Sequence, residues 1–240
     1  MRDGHDITIV LAHGAWADGS SWAKVIRMLR AEGLRSVAAP LPLTALTDDV
    51  AALERTVERI AGPVVLVGHA YAGGVIAETR SDKTKALVYV AALAPDEGET
   101  VANVFYRAEP HPKAPKLAPD AHGLIWLPEE AFSAAFAPNA TAEEQAVLFA
   151  IQRPLAVPCI STKVGRPLWR DRPAWFLLAQ DDRMIAAATQ RFMAERMKAE
   201  IRSHPVDHTP SVTAPDTVVD IILEAASVVA PTPNGTGRTP

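Results

Sequence analysis

The residues best suited to chemistry are an aspartate and a histidine, Asp182 and His208, that follow a glycine-flanked turn at residues 68–74. A nucleophile, then an acidic residue, then a histidine is the chain order of many acyl-transfer sites built on parallel α/β sheets. In such a site the histidine takes the proton of the nucleophile, and the aspartate orients the histidine. The predicted nucleophile position holds Ala70. A methyl group can neither attack a carbonyl nor hydrogen-bond to His208.

The turn around Ala70 has the sequence of a strand that ends sharply in a helix. Four apolar residues at 64–67 predict a buried strand, and Gly-His-Ala-Tyr-Ala-Gly-Gly follows directly at 68–74. Small residues at positions 68 and 72 let the strand and helix backbones approach closely, and the strained middle residue is pushed out at the sheet edge. The turn therefore predicts a nucleophile, and the missing hydroxyl at position 70 is the central feature of the sequence.

Asp182 has a competitor in its neighbour Asp181. We favour Asp182 as the acid because it stands three residues after the small Ala179 and three before the apolar Ile185. Asp181 is expected to cap the helix that follows.

The predicted base, His208, competes with His204, four residues earlier. Histidines at this spacing on a helix could bind a metal, but Pro205 and Pro210 disfavour a helix there. No His-Glu-x-x-His pattern or cluster of Cys and His supports a metal site, so we expect neither a metal nor a cofactor. His208 is favoured because it lies in the loop that leads into the last helix.

A loop after the first predicted strand is suited to stabilising an oxyanion. Its sequence is His13-Gly14-Ala15-Trp16. The backbone N–H of Ala15, or that of Trp16, would act together with the N–H of Tyr71, which directly follows the turn residue.

Large apolar side chains near these loops predict a hydrophobic binding pocket. We expect it to involve Trp16, Tyr71, Trp126 and Met184 and to hold a small acyl or alcohol group. Nothing in the sequence selects among methyl esters, aryl esters and lactones.

The composition is that of an ordinary globular protein. The 240 residues are compatible with one α/β domain. With 24 basic and 28 acidic residues, the chain lacks the excess of positive charge that is typical of nucleic-acid-binding proteins. No apolar stretch reaches the roughly 18 residues of a membrane span, and the run at 7–12 is too short for a signal sequence. Since the single cysteine, Cys159, excludes an intrachain disulfide, a cytoplasmic location is expected. The oligomeric state is left open.

Short apolar runs alternate with helical patterns and show no two-residue hairpin signals. This alternation predicts a mainly parallel sheet with helices on both faces, and right-handed crossovers place the strand-to-helix loops at one edge. The predicted N-caps of helices include Ser20 or Ser21, Thr47 and Thr213. The predicted strands lie at residues 7–12, 34–39, 64–67, 85–91, 174–179 and 200–203.

The regular alternation stops in the middle of the chain. Residues 96–172 contain several prolines and two short helical patterns, at 129–136 and 141–151, which predicts a helical cap inserted over the site. Residues 1–95 and 173–230 would then form the core. The Pro-, Gly- and Thr-rich residues 231–240 predict a disordered tail.

Several separate segments together resemble an α/β-hydrolase of the small bacterial esterase type related to plant methyl-esterases and hydroxynitrile lyases. The resemblance extends from about residue 7 to residue 229. It departs from the family at Ala186, where a proline is usual, and at Ala70, where the family has serine. The segments that carry it are the opening loop 13–22, the turn 68–74, the cap entry 92–99, the acid segment 182–185, and His208 with Pro215 seven residues later.

The resemblance implies a serine carboxylic-ester hydrolase that forms an acyl-enzyme, here without its nucleophile. Such a chain would bind small hydrophobic esters but hardly turn them over. A second hypothesis uses the His–Asp pair as a general base in a lyase or cofactor-free oxygenase reaction. The third is a ligand-binding protein without catalytic activity.

Overall fold

The computed structural model describes residues 7–229, and these contain the predicted alternation of strands and helices. The strands are Thr8–Ala12 (β1), Arg35–Ala39 (β2), Val64–His69 (β3), Thr84–Val90 (β4), Leu124–Ile125 (β5), Leu155–Ala156 (β6), Ala174–Ala179 (β7) and Glu200–His204 (β8). The α-helices are Ala23–Ala31 (α1), Leu46–Glu58 (α2), Ala72–Glu78 (α3), Val101–Phe105 (α4), Glu129–Ala131 (α5), Ala142–Ala150 (α6), Val157–Ser161 (α7), Ala187–Arg196 (α8), Pro210–Thr213 (α9) and Pro215–Val229 (α10).

Six strands form one sheet in the order β2-β1-β3-β4-β7-β8, and every neighbouring pair is parallel. The prediction of a mainly parallel sheet flanked by helices is confirmed. Because the strands run in the same direction, their carboxyl ends meet at one edge of the sheet. The loops that leave β1, β3, β7 and β8 carry the predicted oxyanion, nucleophile, acid and base residues to that edge.

Both faces of the sheet are buried, which explains why the central strands are apolar throughout rather than alternating with polar residues. In β1, Val10 packs into the core on the side of α2 and α3. Its neighbours Ile9 and Leu11 pack on the opposite side, with α1 and α10. The site is therefore supported from both sides by close-packed side chains.

The segment between β4 and β7, residues 91–173, is called the insertion below. It holds α4, a two-stranded antiparallel sheet of β5 and β6, and the short helices α5, α6 and α7. The helical patterns at 129–136 and 141–151 are confirmed, with α5 continuing directly into a π-helix at Phe132–Phe136. The division of the chain into core and cap stays a prediction.

Three predicted helix starts are wrong, because other residues provide the cap or the first residue of each helix. Asp18, not Ser20 or Ser21, caps the first turn, since its carboxylate accepts a 2.8 Å hydrogen bond from the Ser20 N–H. Helix α2 begins at Leu46, which is buried, so Thr47 lies inside it.

The third wrong start concerns the last helix. Thr213 ends α9, and its hydroxyl donates a 2.6 Å hydrogen bond to Asp207 Oδ1 instead of capping the following helix. Helix α10 starts at Pro215, where a proline lacks an N–H that would be unpaired in any case.

Within residues 7–229 no helix has both the length and the apolar composition that crossing a bilayer requires. The predicted tail at 231–240 lies outside the described residues.

Candidate active site

Ala70 occupies the turn between β3 and α3 with a φ of 48°, in the left-handed region that non-glycine residues rarely adopt. Its carbonyl accepts hydrogen bonds from Gly73 N at 3.1 Å and Leu93 N at 2.9 Å. A Cβ on Gly73 would collide with the Leu93 carbonyl oxygen, and one on Gly68 would lie 2.8 Å from the Ala72 oxygen. The strained turn is therefore built into the backbone, although the side chain at position 70 has no hydroxyl.

Asp182 and His208 are brought together at the same sheet edge. Both are buried, and His208 Nδ1–H donates to Asp182 Oδ2 over 2.8 Å. Since the carboxylate accepts the Nδ1 proton, Nε2 of the neutral ring is left as the acceptor. The other carboxylate oxygen, Oδ1, accepts hydrogen bonds from Met184 N at 2.7 Å and Ile185 N at 2.9 Å. The aspartate is thus held in one orientation by its own loop.

The competing residues lie apart from this pair. Asp181 is exposed, and its backbone N–H donates to the Val206 carbonyl. The expectation that Asp181 caps α8 is wrong, because Ala186 is the N-cap and no side chain bonds there. His204 ends strand β8, where its carbonyl accepts from Gln180 N at 2.9 Å.

Gln190, on α8, is a site residue that the sequence analysis missed. It is fully buried, and its side-chain N–H donates to Asp182 Oδ2 and to the Ile185 carbonyl, both at 2.9 Å. Its side-chain oxygen accepts from Ala179 N at 3.0 Å. One amide therefore links the end of β7, the acid loop and the carboxylate. An isolated glutamine on a helix offers no sequence signal for such a role.

His69, directly before Ala70, supports His208 from the side. Its Nε2–H donates to the His208 carbonyl at 2.7 Å, and the two ring centroids lie 4.9 Å apart. Burial, with a smaller electrostatic effect of the neighbouring His208, lowers the pKa of His69 to about 3. His69 is therefore neutral at physiological pH. On another side, the Phe136 ring of the insertion lies 5.5 Å from the His208 ring.

A cavity of about 50 Å³ lies above the turn. The predicted residues Ala15, Trp16, Ala70, Tyr71, Met184 and His208 all contribute to its lining. Within residues 7–229, the N–H groups of Ala15 and Tyr71 meet no hydrogen-bond acceptor of the protein.

Trp126 lies outside this cavity. Its side chain is 48% exposed, and its indole N–H donates to Asp120 at the surface over 3.3 Å. Trp16, in contrast, is anchored at the cavity by an indole N–H bond to the Ile125 carbonyl at 3.0 Å. Two aromatic residues of the insertion that were not assigned to the pocket, Phe105 and Tyr106, contribute to the lining instead.

A buried carboxylate, Asp49, lies behind Tyr71. It accepts the Tyr71 hydroxyl proton at 2.6 Å and the Leu43 N–H at 2.7 Å, and the Cys159 thiol lies 3.7 Å away. Burial raises the pKa of Asp49, and burial also raises the pKa of Cys159 to about 12, so the thiol stays protonated. This cluster joins α2, the turn and helix α7 of the insertion.

A second buried carboxylate, Asp207, stands next to His208. It accepts hydrogen bonds from Thr209 N and the Thr213 hydroxyl through Oδ1, and from Asn139 N of the insertion through Oδ2 at 3.0 Å. The loop that carries His208 is therefore tied both to α9 and to the insertion.

In the described part of the chain, no three His, Cys, Asp or Glu side chains are grouped in a way that could hold a metal ion. The chemistry available at the site is that of the His208–Asp182 pair, two unpaired amide N–H groups and an apolar cavity.

Solved structures of a hydrolase and of two esterases have the same fold. A pyrethroid hydrolase from Sphingobium faniae superposes with a TM-score of 0.76 and 21% identity, covering 92% of this chain and 98% of that protein. A methylesterase from Arabidopsis gives 0.75 and 18%, covering 92% and 99%. A polyneuridine aldehyde esterase gives 0.75 and 17%, covering 92% and 99%.

No curated protein sequence matches the chain. The sequence profile of the alpha/beta hydrolase family, however, matches residues 9–221, which is nearly the whole of the described fold. The chain belongs to the alpha/beta hydrolase family.

Proposed function

We propose that this protein is a carboxylic-ester hydrolase that lacks its nucleophile, so that it binds small hydrophobic esters and hardly turns them over. One observation carries the proposal: Ala70 is held at a φ of 48° in a strained turn and lines the same cavity as His208. Strain of this kind persists where the surrounding structure imposes it, and it is concentrated at functional positions. Alanine gains nothing from that conformation, whereas a nucleophilic hydroxyl would.

A serine introduced by Ala70→Ser completes the following reaction. Nε2 of His208 takes the hydroxyl proton as the serine oxygen attacks the ester carbonyl. The N–H groups of Ala15 and Tyr71 stabilise the oxyanion, and the protonated His208 then gives its proton to the departing alcohol. A water molecule, deprotonated by the same histidine, hydrolyses the acyl-enzyme. Asp182 keeps the ring in the productive tautomer throughout.

The chain with alanine at position 70 cannot form the acyl-enzyme. Loss of the nucleophile from a comparable triad lowers the rate by about 10⁶-fold, and the residual catalysis comes from the oxyanion donors and from binding. Replacing a hydroxymethyl by a methyl group hardly changes the volume, so the cavity is left intact. Binding without turnover is the expected result.

The comparisons support an ester substrate. The chain belongs to a hydrolase family, and the similar structures described above are a pyrethroid hydrolase, a methylesterase and a polyneuridine aldehyde esterase. The apolar lining of the cavity suits an uncharged ligand.

The experiment is to introduce Ala70→Ser and to measure hydrolysis of a panel of p-nitrophenyl and methyl esters. The proposal predicts a gain in kcat/KM of at least about 10³-fold over the unaltered chain. The matched control is the double variant Ala70→Ser/His208→Ala, which should lose the gain. A folded Ala70→Ser protein without activity on the whole panel would overturn the proposal.

A second function is favoured by the completeness of the His208–Asp182 pair. Asp182 keeps four hydrogen-bond donors around its carboxylate, although position 70 offers no hydroxyl for His208 to deprotonate. The pair could act directly as a general base on an acidic C–H or O–H group. Activity of the unaltered chain that disappears in His208→Ala would support this function, and tight ligand binding with no gain from Ala70→Ser would support a purely binding role.

A further inference from the structure

The cavity above Ala70 is too small for a typical ester. Its volume is about 50 Å³, whereas an engineered cavity of about 150 Å³ in another protein holds one benzene molecule. Binding pockets for small molecules commonly have volumes of about 300–1,000 Å³. The cavity therefore has room for a short group of about one to three carbon atoms beside the carbonyl.

A larger groove lies next to this cavity. It has a volume of about 390 Å³, and Phe105, Tyr106, Leu117 and Met184 line both spaces. Because these four residues border both spaces, the cavity and the groove are adjacent, and a molecule that passed between these side chains would occupy both. The combined volume falls in the range expected for a small-molecule site.

The two spaces differ in their chemistry. No Lys, Arg, Asp or Glu contributes to the lining of the inner cavity, and the Tyr71 hydroxyl there is already bonded to Asp49. The residues that line the outer groove include one acidic and one basic residue, Glu109 and Lys116. Burying an unpaired charge in the inner cavity would cost several kcal/mol, so the part of the ligand that enters it must be neutral.

We propose that the site is selective for asymmetric neutral esters, with a short group in the inner cavity and a large apolar group in the outer groove. The proposal rests on the proposed function, because it names the substrate class of the same site. The unsymmetrical shape fits a short acyl group on a large alcohol or a short alcohol on a large acid. Residues 105–117 and Met184 would set the selectivity, and His208 and the turn would not.

Binding to the unaltered chain tests the proposal without any need for turnover. Ketones present the same carbonyl as esters and are not hydrolysed. Methyl nonyl ketone and dipentyl ketone have the same number of carbons, and only the first has a short side. We expect methyl nonyl ketone to bind at least about tenfold more tightly, since methylenes that cannot enter the cavity are not buried. Equal affinities for the two isomers would overturn the proposal.

Two alanines provide a matched pair of variants. Ala108 lines the outer groove, whereas Ala118 is exposed on the same segment and lines neither space. Ala108→Trp should weaken the binding of methyl nonyl ketone about tenfold and leave the binding of the short ethyl methyl ketone unaffected. Ala118→Trp should leave both unchanged. Equal effects of the two tryptophans on the long ketone would contradict the assignment of the groove, and thermal unfolding of each variant checks that it is folded.

Enlarging the inner cavity tests its role separately. Ile160 lines the cavity and is partly buried, so Ile160→Ala adds space there. The preference for methyl nonyl ketone over dipentyl ketone should then fall by about threefold or more. An unchanged preference in a folded variant would show that the cavity does not limit the short side.

Hydrolysis by the Ala70→Ser variant assigns the two sides. Methyl decanoate, nonyl acetate and pentyl hexanoate are isomers, and the first two should be cleaved faster than the third. Faster cleavage of methyl decanoate would show that the alcohol enters the cavity, and faster cleavage of nonyl acetate would show that the acyl group does. If none is cleaved while the ketones are still discriminated, the proposed function fails and the shape selectivity stands. If all three esters are cleaved at equal rates and the two ketones bind equally tightly, the shape selectivity fails and the proposed function stands.

Discussion

His208 Nδ1 lies 2.8 Å from Asp182 Oδ2, so the predicted base and acid are hydrogen-bonded to each other near Ala70, which has no hydroxyl. The pair is buried, and the carboxylate is surrounded by backbone and side-chain donors. A buried carboxylate without such partners would be costly. We interpret the arrangement as a catalytic pair that lacks the hydroxyl of a nucleophile at position 70.

The Asp182→Asn substitution in the Ala70→Ser background should lower kcat/KM by about 10⁴-fold. An amide can present its NH₂ to Nδ1 of His208 and so favour the tautomer that cannot accept the serine proton. The matched control is Asp181→Asn, because Asp181 is exposed one residue away. Ester hydrolysis measures both. Similar losses in the two variants would contradict the assignment of Asp182 as the acid.

The Gln190→Met substitution should lower the free energy of unfolding by about 2–4 kcal/mol, as measured by urea denaturation. Methionine fills a similar volume but leaves Ala179 N and the Ile185 carbonyl without their partner. In the Ala70→Ser background, kcat should also fall with little change in KM, because Asp182 loses a donor that orients it.

Gln180→Met is the control for this substitution, since Gln180 is exposed and its side chain bonds to the exposed Ser203 hydroxyl. It should change the free energy of unfolding by less than about 0.5 kcal/mol. If the two methionine variants have the same stability, Gln190 does not have the supporting role described above.

Asp49→Asn should make the protein relatively more stable as the pH rises. Burial raises the folded-state pKa of Asp49 above its usual value of 3.8, so the folded state binds the proton more tightly than the unfolded state. The stability gained from the protonated form is present below pH 3.8 and is lost as the pH rises through the raised pKa. Asparagine does not titrate and can still pair with Tyr71 and Leu43.

Urea denaturation of both proteins over a series of pH values measures this effect. The difference in unfolding free energy should shift in favour of the variant by about 1.4 kcal/mol for each unit by which the folded-state pKa is raised. Parallel stability curves for the two proteins would contradict a buried carboxyl with a raised pKa.

His69→Gln should make the protein less sensitive to acid. The pKa of His69 is lowered from 6.5 to about 3 in the folded state, so the unfolded state binds the proton more readily. The stability from the neutral ring is present above pH 6.5 and is lost as the pH falls towards 3. Glutamine keeps an N–H donor for the His208 carbonyl without titrating.

The measurement is again urea denaturation of both proteins. Between about pH 7 and about pH 5 the unaltered chain should lose about 2 kcal/mol relative to the variant. An unchanged difference across this range would show that His69 is not held neutral by burial.

The sequence predicted the parts of the fold that local pattern determines. The apolar run at 64–67 and the small residues around Ala70 identified the strained turn, because strand and helix can approach so closely only with small side chains there. Asp182 was distinguished from Asp181 by its apolar flanks, and the structure buries the first and exposes the second.

The parts that the sequence did not predict depend on distant contacts. Gln190 and Asp49 have no local signature, since their partners are contributed by strands and loops elsewhere in the chain. Trp126 was expected in the pocket because it is aromatic and lies in the insertion. Its orientation depends on how the insertion folds, and the indole is turned to the surface.

The most direct test of the central claim is to treat the Ala70→Ser variant with an alkyl fluorophosphonate and measure its intact mass. An activated serine displaces fluoride and keeps the phosphonyl group, whereas an ordinary serine does not react. The account predicts one adduct, located by peptide mapping at position 70, and no adduct on the unaltered chain or on Ala70→Ser/His208→Ala. A folded Ala70→Ser protein that stays unlabelled would contradict the claim that this site lacks only its nucleophile.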